Sequence, residues 1–225
     1  QAVTIDTGSV AVDGVVNGAE YGSDVTVTGT GEAGSAITVT SGGLTLGTTT
    51  VAQDGTWTLD FSPSLIDGAP GHSELGYTGT LTATAVDAAG NTTSTSGTVT
   101  VDRNTSLFAS FDDADFVVNA SERAAGVTLT GGAEPGATIA VAIGGQTLSA
   151  TADNTGAWSV TVPPALIPEG VGTLGASVTA TDLAGNTATQ TVSIAVDTQT
   201  AVTVNTATVE GDGVVNATEA QDGFV

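Results

Sequence analysis

A chain of 225 residues with 24 acidic side chains, two arginines and no lysine carries a formal charge of -22. That excludes nucleic acid and anionic membrane surfaces as partners. Cys and Met are absent, so there is no disulfide framework and no Cys-based metal site. No apolar run approaches the roughly 18 residues of a membrane span, so no membrane insertion is expected. Lack of disulfides suits a cytosolic protein or an exported one that needs no oxidative folding.

The opening Val3-Thr4-Ile5 reads as a first strand (A), without a signal peptide, as expected of a segment of something longer. An acidic stretch, Asp13-Gly14-Val15-Val16-Asn17-Gly18-Ala19-Glu20, connects it to strand B, Val25-Thr26-Val27-Thr28. Strand C is Ile37-Thr38-Val39-Thr40, and residues 44–51 make one or two short strands. The turn Gln53-Asp54-Gly55-Thr56 leads into strand E, Trp57-Thr58-Leu59-Asp60-Phe61. Strand F is residues 81–86, and strand G ends on Thr98-Val99-Thr100-Val101-Asp102. No helix longer than a turn is expected; residues 63–66 and 164–167, each opened by Pro, suit one turn apiece. Period-two alternation with regular turn signals predicts an all-β, seven-stranded Ig-like β-sandwich. Trp57 and Trp158 fill equivalent places in the two cores.

The pattern repeats. The acidic stretch returns at Asp115 and Asp212, spacings of 102 and 97. Gly55-Thr56-Trp57 returns as Gly156-Ala157-Trp158, and Asp87-Ala88-Ala89-Gly90-Asn91 as Asp182-Leu183-Ala184-Gly185-Asn186. These markers divide the chain into a first repeat, 1–102, a second, 103–197, and the start of a third, 198–225, set end to end. The third has strand A and the acidic stretch without partner strands, so it is disordered, packs on the second repeat, or pairs with a neighbour's sheet edge. The first repeat has a longer Trp57-to-Asp87 interval, 30 positions against 24, read as a loop insertion across residues 67–80 that holds His72, Glu74 and Tyr77.

The acidic stretch is half of a calcium loop. Asp13, Gly14, Asn17 and Glu20 fall on the fifth, sixth, ninth and twelfth positions of an EF-hand-type loop, but the first and third positions, Ser9 and Ala11, are poor ligands. Calcium needs six to eight oxygens, so the rest must come from elsewhere; magnesium, which holds its water and wants strict octahedral geometry, fits worse. In an Ig-like sandwich the A–B connection lies at the pole where strand G leaves, facing the next repeat's F–G turn. At the first junction this brings together Asp13, Asn17 and Glu20, the linker residues Asp102 and Asn104, and Asp182 with Asn186 or Glu134. The same reasoning names Asp115, Asn119, Glu122 and Asp197 at the second junction, Asp87 and Asn91 in the first repeat's F–G turn, and Asp212, Asn216 and Glu219 in the third copy. A competing reading is purely structural: Asn17 and Glu20 cap backbone amides, and Asp87 to Asn91 forms an Asx-turn hairpin.

The order of these motifs resembles the tandem bacterial Ig-like repeats of giant RTX and biofilm-associated adhesins. Two positions depart from that pattern: Phe116 replaces the usual Gly, and the linker Arg103-Asn104-Thr105-Ser106 lacks the common Pro. The resemblance implies type I secretion and an extracellular place at the bacterial cell surface. It implies a calcium-rigidified extender that projects a distal binding domain and supports adhesion or biofilm formation. Its partners would be neighbouring repeats of the same polypeptide, with the adhesin's ligand bound elsewhere and head-to-tail self-association as a further option. Two alternatives belong to other classes: a carbohydrate- or surface-binding module using His72, Glu74 and Tyr77, and a filament subunit that donates strand residues 201–206. Enzyme function is not expected, because His72 is the only histidine and no triad, zinc or phosphate-loop signature is present.

Overall fold

The computed structural model describes residues 1–66 and 76–200. The strands of the first repeat are β1 (Val15–Val16), β2 (Val25–Thr30), β3 (Ala36–Ser41), β4 (Leu44–Thr50), β5 (Thr56–Phe61), β6 (Tyr77–Val86) and β7 (Thr92–Val101). They form two sheets, ordered β1-β7-β6-β3-β4 and β2-β5. Residues ahead of the acidic stretch extend the smaller sheet: the Thr4 and Asp6 amides donate to the Thr30 and Thr28 carbonyls at 2.9 and 2.8 Å. Alternation decides which side chains face inward. Val25 and Val27 are buried while Thr26 and Thr30 are exposed, and Trp57, Leu59 and Phe61 point into the same core.

The second repeat repeats the plan. Its elements are β8 (Leu107–Asp112), β9 (Val117–Val118), α1 (Ala120–Ala125), β10 (Val127–Ala133), β11 (Thr138–Ile143), β12 (Gln146–Thr151), β13 (Ala157–Val162), β14 (Val171–Thr181) and β15 (Thr187–Asp197). The sheets are β9-β15-β14-β11-β12 and β8-β10-β13. Each repeat is therefore an Ig-like β-sandwich with its own core, one around Trp57, Ile37 and Leu81, the other around Trp158, Leu129 and Ile139. One glycine in each core is fixed by close approach. A Cβ on Gly29 would overlap the Trp57 indole and the Thr4 carbonyl; on Gly131 it would overlap the Phe108 carbonyl and lie 2.6 Å from the Trp158 ring.

Several elements differ from the sequence-based expectation. The acidic stretch is not a plain connection: Val15 and Val16 pair in parallel with Thr100 and Val101, and Val117 and Val118 with Ala195 and Val196. The chain thus crosses from the smaller sheet to the larger, and full burial of Val16 and Val118 drives the crossing. Residues 7–12 form a 3-10 turn and α1 is a true helix, both unexpected; the Pro-led turns at Pro63–Leu65 and Pro164–Leu166 are present. Residues 77–80 are strand rather than loop, and the half-buried Tyr77 donates its hydroxyl to the Ile66 carbonyl at 3.1 Å. His72, Glu74 and the third repeat from residue 201 onward lie outside the described residues, and with them Asp212, Asn216 and Glu219.

Candidate functional site

The junction is built from three short segments. Asp102 follows the last residue of β7, and its amide is fixed to the Val16 carbonyl at 2.9 Å. The turn between β14 and β15 is an Asx-type hairpin: the Asp182 carboxylate accepts the Asn186 backbone amide at 2.8 Å and its side-chain amide at 3.0 Å. Gly185, at φ +86°, supplies the left-handed turn residue. Glu134 stands in the turn after β10. The three segments place carboxylate oxygens of Asp102, Glu134 and Asp182 within 4.8 Å of one another.

Among the described residues, no basic side chain pairs with this group. The nearby Arg103 guanidinium instead lies over the Tyr21 ring, 4.5 Å from its centroid. Burial pushes the Asp102 carboxyl up from its ordinary pKa, and the Asp182 charge adds to it. Glu134 is raised chiefly by burial, then by the charges of Asp102 and Asp182. The buried Glu134 Oε1 and Thr105 Oγ1 have no hydrogen-bond partner. Like charges in a partly dry site, with an orphaned oxygen among them, are surroundings that suit a hard divalent cation.

Asn186 ties the two repeats together. Its side-chain amide donates to the Asp102 carbonyl at 2.9 Å, and its Oδ1 accepts the Gly18 amide at 2.8 Å. Asp182 and Asn186 are both buried, whereas their first-repeat counterparts Asp87 and Asn91 form the same hairpin in the open. The Asn91 side-chain amide holds the Asp87 carboxyl below its ordinary range.

The motif carboxylates Asp13 and Glu20 stand outside the junction group. Asp13 accepts the Val15 amide at 2.9 Å; Asn17 accepts the Ala19 and Glu20 amides, and Glu20 accepts the Asn17 amide in return. The second copy does the same. Asp115 accepts the Val117 amide, and Asn119 and Glu122 form a capping box on α1. Its carboxylates also form a group: Asp113, Asp115 and Glu122 lie within 4.8 Å of one another. Burial first, then the Asp115 side chain and the charge of Glu122, push Asp113 up. Asp113 was missed as a site residue, although it occupies a weak position of the calcium-loop alignment; the Asp112-Asp113-x-Asp115 run was the signal. Phe116, at φ +61°, takes the left-handed conformation that Gly14 has at +82° and leaves its ring exposed. Asp197 ends β15 and accepts the Gln199 amide at 3.0 Å. Among the described residues, no helix is long and apolar enough to cross a membrane.

Residues 12–102 match the family model for a bacterial Ig domain, and residues 112–198 that for a bacterial Ig-like domain. Among solved structures, the chain is similar to a Ca2+-stabilised adhesin that helps an Antarctic bacterium reach out and bind ice, with 32% identity over 98% of this chain and a TM-score of 0.52. It is similar also to a 1.5-MDa bacterial ice-binding adhesin, with 30% identity over 88% of this chain and a TM-score of 0.50. The chain spans 55% and 65% of those two structures. A bacterial immunoglobulin-like domain from the M. primoryensis ice-binding adhesin matches 41% of this chain over 96% of its own length, at 34% identity and a TM-score of 0.33. No curated protein matches the chain.

Proposed function

Because this chain belongs to the bacterial Ig-like domain family, as two domains in tandem, we propose that it is a calcium-rigidified spacer in a large bacterial surface adhesin. Its work is mechanical: it holds a distal binding domain away from the cell, outside the cell, with neighbouring repeats as its partners. Residues 1–102 and 103–197 are the two repeats, and residues 198–225 begin a third.

The observation that carries this reading is the convergence of Asp102, Glu134 and Asp182 between the repeats. The donor set is all oxygen, which suits calcium and disfavours soft metals. Asp102 belongs to the end of the first repeat, and Glu134 and Asp182 to two turns of the second. A cation held by these three would supply the positive charge that the site lacks. Their mutual repulsion, which favours separation of the repeats, would become attraction through the shared ion. The Asn186 side-chain amide on the Asp102 carbonyl holds the linker beside that group. Similarity to a Ca2+-stabilised adhesin supports the choice of ion.

Thermal unfolding in millimolar calcium, in chelator and in matched magnesium tests the reading. A ligand that binds only the folded state adds about 2.7 kcal/mol at a hundred times its dissociation constant. The expected result is a rise in Tm specific to calcium. Equal curves in all three buffers would reduce the acidic groups to ordinary turns.

A further inference from the structure

The first junction closes over a residue without a side chain. The Gly18 amide donates to Asn186 Oδ1 across the repeats. A Cβ at Gly18 would overlap the Arg103 carbonyl oxygen and come within 3.2 Å of Asn186 Oδ1. Gly18 is not in the left-handed region, so backbone conformation does not demand glycine here. Close approach of the linker and of the second repeat does. Two further contacts knit the same corner: the Arg103 guanidinium on the Tyr21 ring, and Asn186 on the Asp102 carbonyl.

The equivalent corner of the second repeat carries other residues at all three places. With the 102-residue spacing of the acidic stretches, Gly18 corresponds to Ala120 and Tyr21 to Arg123; with the 95-residue spacing of the strand ends, Arg103 corresponds to Thr198. Ala120 has the methyl group that the first junction has no room for. Arg123 turns inward, donating to the Ile167 and Pro168 carbonyls at 3.0 and 3.2 Å and pairing with Glu169 at 3.0 Å. Thr198 is bound to the second repeat: its amide donates to the Gly170 carbonyl at 3.0 Å, and the Gly170 amide donates to its hydroxyl at 2.7 Å.

We propose that Gly18 selects the close joint between the repeats. It seats the Arg103 carbonyl and the Asn186 side chain on the first repeat's corner, and Ala120 closes the matching corner of the second repeat to such a seat. The contacts that define the close joint involve no ion, so this inference is separable from the calcium reading.

The chain has no cysteine, so two introduced ones, at the exposed positions Thr48 and Ser149, carry unique spin labels. The distance distribution is measured by pulsed electron spin resonance in calcium and in chelator. Gly18→Ala is expected to broaden a single narrow peak and shift its centre in calcium. Gly22→Ala, on the same loop with nothing within 4 Å of its added Cβ, is expected to leave it unchanged. Near-ultraviolet signals of Trp57 and Trp158 report the folding of each repeat. Should Gly18→Ala unfold the first repeat, Asn186→Ala removes the acceptor from the other side and is expected to broaden the peak in the same way. A Gly18→Ala chain, or in that case an Asn186→Ala chain, with the native distribution overturns the proposal, as does a native chain that is broad in both buffers. A missing calcium effect with Gly18→Ala still disruptive would sink only the calcium reading.

Discussion

Neutralising Glu134 has opposite consequences with and without calcium. Glu134→Gln keeps the shape of the side chain and removes one of three charges that lie within 4.8 Å of one another. At that separation a like-charged pair costs about 1 kcal/mol in water-like surroundings and about 3.5 kcal/mol at an effective dielectric constant of about 20. Glu134 faces two such partners, but it and Asp102 keep partial contact with water, so the expected relief is about 1–3 kcal/mol. In chelator the variant should therefore be the more stable protein, with each 1 kcal/mol raising Tm by about 4–8 °C for a domain of this size. In calcium the order reverses, because a carboxylate ligand is gone. A loss of about tenfold in affinity, or about 1.4 kcal/mol, is the minimum expected. Melting curves in both buffers and a calorimetric calcium titration read the two effects. A variant less stable in chelator, or one that binds calcium as tightly as the native chain, would refute the electrostatic account of the site.

The pH dependence has a defined sign. Asp102, Glu134 and Asp113 have folded-state pKa values above their ordinary ones, so the penalty for ionising them is absent below the unfolded pKa and complete above the raised one. In chelator their contribution to stability therefore grows as pH falls through the raised pKa values, while the calcium-induced rise in Tm shrinks over the same window; melting as a function of pH checks both. Asp54, Asp87 and Asp153 are lowered by their Thr56, Asn91 and Thr155 side chains, so their contribution is lost only at still lower pH. Trp158→Ala should cost about 3–5 kcal/mol by denaturant unfolding of the second repeat, against little change in the first repeat's Trp57 signal. Gly131→Ala should cost about 1–3 kcal/mol or more from overpacking, whereas Gly175→Ala, whose Cβ meets nothing within 4 Å, should be nearly neutral.

The strands were legible because Val and Thr alternate with so few aromatic interruptions that the buried face is unambiguous, as in Val25 to Thr30. The hairpin turn at Asp182 was also legible, because Asp, Gly and Asn each have a mechanical reason to be there. The acidic stretch has a double meaning. Asn119-x-x-Glu122 satisfies half of a calcium loop and equally the helix capping box that the fold adopts. Asn17 and Glu20 likewise bond to backbone amides. Residues 77–80 were lost to the loop because Gly76 and Gly79 broke the strand pattern. The sandwich topology named Asp102, Asp182 and Glu134 at the first junction, but not how closely one repeat seats on the next. That placement turns on contacts such as Gly18 to Asn186, which no local pattern announces.

Rigidity of the junction is the claim to test most directly, with the native chain labelled at Thr48→Cys and Ser149→Cys and titrated with calcium. The account predicts that a broad inter-repeat distance distribution in chelator collapses to one narrow peak as calcium fills the Asp102, Glu134 and Asp182 site, and that magnesium does not reproduce it. A distribution of the same width in chelator and in calcium would contradict it.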